Sequence, residues 1–198
     1  MRGGSGMVTF SCERGRVVGL AAADGADPVR IGLVGCGGIS HLHARAAESA
    51  SNAAIVACCD VRRDVAEAWA GRYGCERAYE DYEAMLREHD LDAVLLATWP
   101  AQHYEQVLRC LRAGVRNILC EKALATTSTQ AHEIWSAARE SGAFVMEGFM
   151  YRHHPAMRRL EHLLLDGELG DGVPLRRQPR GLATPVRFST RPRSVHAH

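Results

Sequence analysis

From Val29 onward, short apolar runs alternate with stretches whose apolar residues recur every three or four positions. "VRIGLV" (29–34) is an apolar run that meets the glycine cluster "GCGG". "ISHLHARAAESA" (39–50) then places Ile39, Leu42, Ala46 and Ala47 at helical spacing. "AIVACCD" (54–60) reads as a second buried strand ending on Asp60, followed by a helix over 63–74. "YEDYEAMLREHD" (79–90) predicts a short helix with Asp81 as its N-cap. "AVLLAT" (93–98) is a third strand, and the helix over 102–114 is ended by Gly114. The strand "VRNILC" (115–120), a helix over 127–142 and the strand "AFVMEGF" (143–149) follow. An amphipathic helix over 154–170 closes the pattern, with Met157, Leu160, Leu163 and Leu164 expected to face inward.

Solidly apolar strands alternating with helices of 10–16 residues mean a parallel sheet covered on both faces. The expectation is an α/β, doubly wound parallel sheet over residues 29–150, with 151–170 as a helix leading onward. No internal repeat is visible. Residues 1–28 read as an irregular leader. They hold a second methionine, Met7, and are either an upstream overrun of the true start or an arm that packs on a partner subunit. After Gly170 neither period survives, and residues 171–198 read as a disordered tail.

Composition sharpens the boundaries more than the class. At 46% apolar and 24% charged residues, the chain is ordinary for a globular domain. It has no apolar run of 18 residues and no signal peptide, so no membrane partner and a cytoplasmic location are expected. The tail carries six arginines against one aspartate and four of the seven prolines. Read as a nucleic-acid arm, it would bind weakly and with strong salt dependence, so no nucleic-acid partner is expected. Translation out of frame in a GC-rich gene yields the same composition, and the gene sequence past Gly170 tests that. The seven cysteines (Cys12, Cys36, Cys58, Cys59, Cys75, Cys110, Cys120) show neither a C-x-x-C pair nor zinc-ligand spacing. They are expected to be reduced and mostly buried, with no metal bound.

"GCGGIS" sets Gly35, Gly37 and Ser40 at the spacing of a dinucleotide-binding turn. The first glycine permits the turn, the second lets backbone approach a pyrophosphate, and the small third residue lets helix and strand close up. Gly38 and Ile39 open the helix, whose N-terminus offers N–H groups and a positive dipole end to phosphates. Asp60, 20 residues after Ser40 and at a strand end, would accept hydrogen bonds from ribose hydroxyls, which favours NAD. Arg62 and Arg63 lie just beyond and are suited to a 2′-phosphate, so NADP stays open.

The ordered motifs "IGLVGCGGIS…H…A", "ACCD", "YEDYEAML", "DAVLLAT…H", "LRAGVRNILCEKALA" and "EGFMYRHHPAMRRL…LLDGELG" resemble the Gfo/Idh/MocA oxidoreductases. The resemblance runs from Val29 to Gly170. "EGFMYRHHP" is most similar to the branch holding dihydrodiol dehydrogenase, glucose–fructose oxidoreductase and xylose dehydrogenases. It implies NAD(P)-dependent oxidation of a sugar, cyclitol or diol hydroxyl. It also implies a role for Lys122, the only lysine among 24 lysine and arginine residues. Carried over, Glu121 lies near the nicotinamide ribose, and Lys122 is the catalytic lysine that helps a histidine deprotonate the substrate. An arginine would not serve, because guanidinium stays protonated where a partly buried ammonium exchanges a proton.

Three further positions follow from the resemblance. Thr98 and His103 are implied as cofactor-loop residues, although "TWPAQH" has its proline one place later than the family's pattern. Equally, His103 reads as a residue of a helix start. Arg152 matches a position beside the cofactor, while His153 and His154 read as a surface pair. Ala123 replaces a proline whose preceding bond is often cis. Before alanine that bond costs roughly 2.5–4 kcal/mol, so Lys122 is expected to point differently. Relatives continue for a second domain that supplies the substrate pocket and the partner histidine, and nothing here corresponds to it. The expectation is a truncated chain of weak or no activity, or a non-catalytic dinucleotide-binding module. An apolar face left uncovered would drive self-association.

Overall fold

The computed structural model describes residues 11–13, 16–18, 27–168 and 170. The readings of a disordered tail and of most of the leader fall outside them. Within the leader, β1 (Ser11–Glu13) and β2 (Arg16–Val18) pair antiparallel. The described residues fall into two compact units, one ending at Gly148 and the other beginning at Phe149.

The first unit is built on a six-stranded sheet of β3 (Val29–Val34), β4 (Ala53–Cys59), β5 (Arg77–Tyr79), β6 (Ala93–Leu96), β7 (Asn117–Cys120) and β8 (Phe144–Glu147). All pairings are parallel, in the order β5-β4-β3-β6-β7-β8. The connecting helices are α1 (Ser40–Glu48), α2 (Arg63–Tyr73), α3 (Tyr82–Glu88), α4 (Pro100–Arg112) and α5 (Ser128–Ser141). The order runs outward from β3 in one direction and then from β6 in the other. This is the doubly wound arrangement, and its topological switch point lies between β3 and β6.

Successive residues of a strand point to opposite faces, and the core divides accordingly. Leu33, Cys58 and Leu95 pack with Ala44 of α1 and Trp69 of α2 on one face. Val34, Cys59, Val94, Leu96, Ile118 and Cys120 pack with Met85 of α3, Val107 and Cys110 of α4 and Ile134 of α5 on the other. Leu33, Val94, Leu96 and Met85 are wholly buried, and each such side chain contributes about 1.5–3 kcal/mol. Burial on both faces explains why these strands read as unbroken apolar runs.

Three sequence expectations need correction. The edge strand β5 went unread because "RAY" is only three residues long and one of them is charged. Helix α4 begins at Pro100 rather than Gln102, since proline's fixed φ suits the first helical position. In the second unit, a 3-10 turn (Met150–His153) leads into α6 (Pro155–Leu165), and the expected inward stripe is not buried. Met157, Leu160 and Leu164 are 39%, 40% and 47% exposed, and Leu163 is half-buried. An amphipathic stripe needs an element to cover it, and the described part of this unit offers only that short turn. No helix among the described residues is long and apolar enough to cross a membrane.

Candidate functional site

The carboxyl ends of β3, β4, β6 and β7 gather most of the chemistry that the sequence singled out. Gly35 leaves β3 with φ +95°, in the left-handed region, and a Cβ there would meet the Ala97 backbone at 2.8 Å. Only glycine lets the chain turn this close to the end of β6. Gly37 and Gly38 are exposed, and a Cβ on either would meet nothing within 4 Å. Ile39 is the N-cap of α1, and its side chain packs into the core under that helix. Its contribution to any ligand is therefore through backbone. Ser40 is fully buried, and its hydroxyl donates to the Gly37 carbonyl at 2.5 Å.

Asp60 follows β4 and braces this turn. Its Oδ2 accepts the Cys36 N–H at 3.0 Å and its Oδ1 the Arg62 N–H at 3.1 Å. Both carboxylate oxygens are thus positioned by backbone while the residue stays half-buried. Arg62 is exposed and makes no ion pair among the described residues, whereas the Arg63 guanidinium is engaged by Glu67 at 2.8 Å and Glu80 at 3.3 Å. Of the two candidates for a 2′-phosphate, Arg62 is the uncommitted one.

At the end of β6, the Thr98 hydroxyl donates to Gln106 Oε1 at 2.5 Å. Trp99, the N-cap of α4, is 79% exposed. His103 is fully buried. Its Nδ1 lies 2.8 Å from the Ala123 carbonyl and its Nε2 3.1 Å from that of Thr98. The imidazole sits between the loop after β6 and the loop after β7, within hydrogen-bond reach of a backbone carbonyl in each.

Glu121 is 6% exposed at the end of β7. The Nε2–H of His43, on α1, donates to its Oε1 at 2.9 Å, and the Lys122 N–H to its Oε2 at 3.2 Å. The Lys122–Ala123 peptide is cis, so replacing proline by Ala123 does not remove the cis geometry that the resemblance implies. Glu147 at the end of β8 accepts the Leu124 N–H at 2.8 Å. Glu121, His103 and Glu147 each hold one peptide of the Lys122–Leu124 turn, and the Lys122 side chain is exposed above them. Arg152 belongs to the second unit, where it is exposed on the 3-10 turn.

Sequence reasoning missed His43 and Glu147. Glu147 had a signal, since it ends an apolar strand just as Asp60 and Glu121 do. His43, three residues after Ser40 on one helix face, had only that spacing. Nothing in the sequence pairs it with a residue 78 positions away.

The cysteines act as core residues. Burial pushes the Cys59, Cys110 and Cys120 thiols up to about 12. A hydrogen bond with Cys36, with burial, does the same for Cys58. Six are free thiols among the described residues.

A strand-turn-helix with open backbone at the switch point, and an acid at the neighbouring strand end, fits a dinucleotide. Residues 29–149 match the model of an oxidoreductase family with an NAD-binding Rossmann fold. The dTDP-3,4-didehydro-2,6-dideoxy-alpha-D-glucose 3-reductase of Actinomadura kijaniata is 37% identical over 147 residues, 74% of this chain and 44% of that protein. The mouse trans-1,2-dihydrobenzene-1,2-diol dehydrogenase is 35% identical over 116 residues, 59% of this chain and 34% of that one. A solved 3-ketoreductase from Actinomadura kijaniata, in complex with NADP and TDP-benzene, superposes with a TM-score of 0.66 at 35% identity. That match covers 71% of this chain and 43% of that one. The chain thus spans less than half the length of these relatives. Fold, glycine turn and family match agree, and the chain belongs to the Gfo/Idh/MocA oxidoreductases, the family with an NAD-binding Rossmann fold.

Proposed function

We propose that this chain is the dinucleotide-binding part of an NAD(P)-dependent dehydrogenase acting on a sugar, cyclitol or diol hydroxyl. The observation that carries the reading is the open backbone at Gly37 and Gly38 beside Asp60. A bound dinucleotide supplies hydride acceptance or donation. The chain's own residues bind and orient it. The helix start at Gly38 and Ile39 receives the pyrophosphate, and Asp60 receives the adenosine ribose hydroxyls. Glu121 and the Thr98 loop, fastened by His103, shape the nicotinamide end. The relatives named above, a dideoxyglucose reductase and a diol dehydrogenase, support the substrate class.

Lys122 is assigned as the catalytic lysine. It assists transfer of the substrate hydroxyl proton, which its titratable ammonium allows and a guanidinium does not. NAD is preferred over NADP because Asp60 places negative charge where a 2′-phosphate would sit. Arg62 is the residue that would offset it. A cytoplasmic setting and self-association through the apolar side of α6 belong to the same proposal.

A non-catalytic binding module is the second reading. It is favoured by one observation: among the described residues no side chain pairs with the Lys122 ammonium. Titration with NADH and NADPH, together with turnover on a panel of sugars, inositols and diols, tests the binding and the catalytic parts of the proposal. The expected result is binding, tighter for NADH, with little or no turnover by these 198 residues. Robust turnover would contradict the need for a partner group beyond this chain, and failure to bind either dinucleotide would overturn the whole reading.

A further inference from the structure

Trp69 lies outside every candidate set discussed so far, yet it reaches the glycine turn through a single hydroxyl. It sits on α2, is 2% exposed, and its Nε1–H donates to Ser40 Oγ at 2.9 Å. Ser40 in turn donates to the Gly37 carbonyl at 2.5 Å, and its own N–H reaches the same oxygen at 3.1 Å. The direction of this chain is fixed by chemistry. An indole N–H only donates, and a hydroxyl has a single proton. With one lone pair of Ser40 Oγ taken by Trp69, the hydroxyl proton is directed to Gly37.

The Gly37 carbonyl therefore points along α1 toward Ser40. In a planar trans peptide the N–H of the next residue points the opposite way. The Gly38 N–H is turned out of the helix start, and Gly37 and Gly38 are both exposed. Trp69 itself is held by packing: its ring lies against that of Tyr73, tilted by 46° with centroids 4.6 Å apart, and the Tyr73 hydroxyl shares a 2.8 Å hydrogen bond with His41 Nδ1 on α1. The two helices are thus tied together at Ser40 and His41, the first two residues of α1.

We propose that Trp69 is a positioning residue for the pyrophosphate, acting through Ser40 to hold the Gly37–Gly38 peptide with its N–H toward the ligand. This rests on the dinucleotide reading and adds a residue that controls it. A fixed donor is worth more than a free one because no reorganisation is needed when the phosphate arrives. The ligand chemistry it serves is the diphosphate, not the adenine or the ribose.

The test uses the whole chain and two ligands, ADP and adenosine, with Trp69→Phe, Ser40→Ala and the double variant. Phenylalanine keeps most of the ring and removes the donor. Trp69→Phe should weaken ADP binding by about 10-fold, the effect of losing roughly one hydrogen bond's worth of alignment, and leave adenosine binding unchanged. The double variant should bind ADP no more weakly than Ser40→Ala alone, because both substitutions break one relay. Unchanged ADP affinity in Trp69→Phe would overturn the proposal. So would equal losses for ADP and adenosine, which would mark Trp69 as support for the fold alone. Hydrogen exchange of the Trp69 indole N–H reads the relay without ligand: slow in the wild type and faster in Ser40→Ala, with equal rates overturning it. If the wild type fails to bind ADP while that exchange difference is present, the dinucleotide reading is what falls.

Discussion

Glu121 shows how one side chain can carry both structural and functional demands. A carboxylate buried to 6% exposure is costly without partners, and here it has the His43 imidazole and the Lys122 N–H. His43→Ala leaves that oxygen without its donor. The expected destabilisation is about 1–3 kcal/mol, measured by urea denaturation at pH 7, and a loss under about 0.5 kcal/mol would show the pair to be dispensable. The thiols give a pH dependence of definite sign. Burial raises Cys110 to about 12. Its contribution is therefore fully present below the unfolded value of about 8.5 and is lost as pH rises toward the folded value. Stability should decline on going from about pH 8 to 10, and the decline should be shallower in Cys110→Ala. At this scale the sequence was legible where a residue ends an apolar run, as Asp60 and Glu121 do. It was silent where meaning comes from a partner far along the chain, as with His43.

At the scale of elements, the join between β3 and α1 separates two roles for glycine. Gly35 has φ +95° and only 2.8 Å from its would-be Cβ to the Ala97 backbone, whereas Gly37 has open space around it. Gly35→Ala should cost about 1–3 kcal/mol through strain and overlap. Gly37→Ala should stay within about 0.5 kcal/mol of wild type in thermal or urea unfolding. Equal stability losses at both positions would contradict this division. Element types were legible because parallel strands buried on both faces have no alternation to confuse with helical period. Boundaries were less so. The short edge strand β5 carries no apolar run, and α4 starts at a proline that looks like a breaker when read alone.

On the scale of the whole molecule, the parallel order β5-β4-β3-β6-β7-β8 places the glycine turn, Asp60, Thr98 and Glu121 together at the carboxyl end of the sheet. Four stretches separated by up to 86 residues become one site through strand order alone, which sequence reading could infer only from fold rules. The apolar side of α6 is the feature it misjudged, since burial depends on a covering element and not on the stripe itself. Leu160 and Leu164 are 40% and 47% exposed. Sedimentation should show concentration-dependent association that Leu160→Glu with Leu164→Glu suppresses, and a wild-type monomer at high concentration would count against it. The most direct test of the central claim is a dinucleotide titration followed through Trp99, which is 79% exposed at the mouth of the β6–α4 turn. The account predicts a saturable change in fluorescence with NADH in the wild type, and its loss in Gly37→Ala while the fold is retained. An unchanged titration curve in Gly37→Ala, or no saturable response in the wild type, would contradict it.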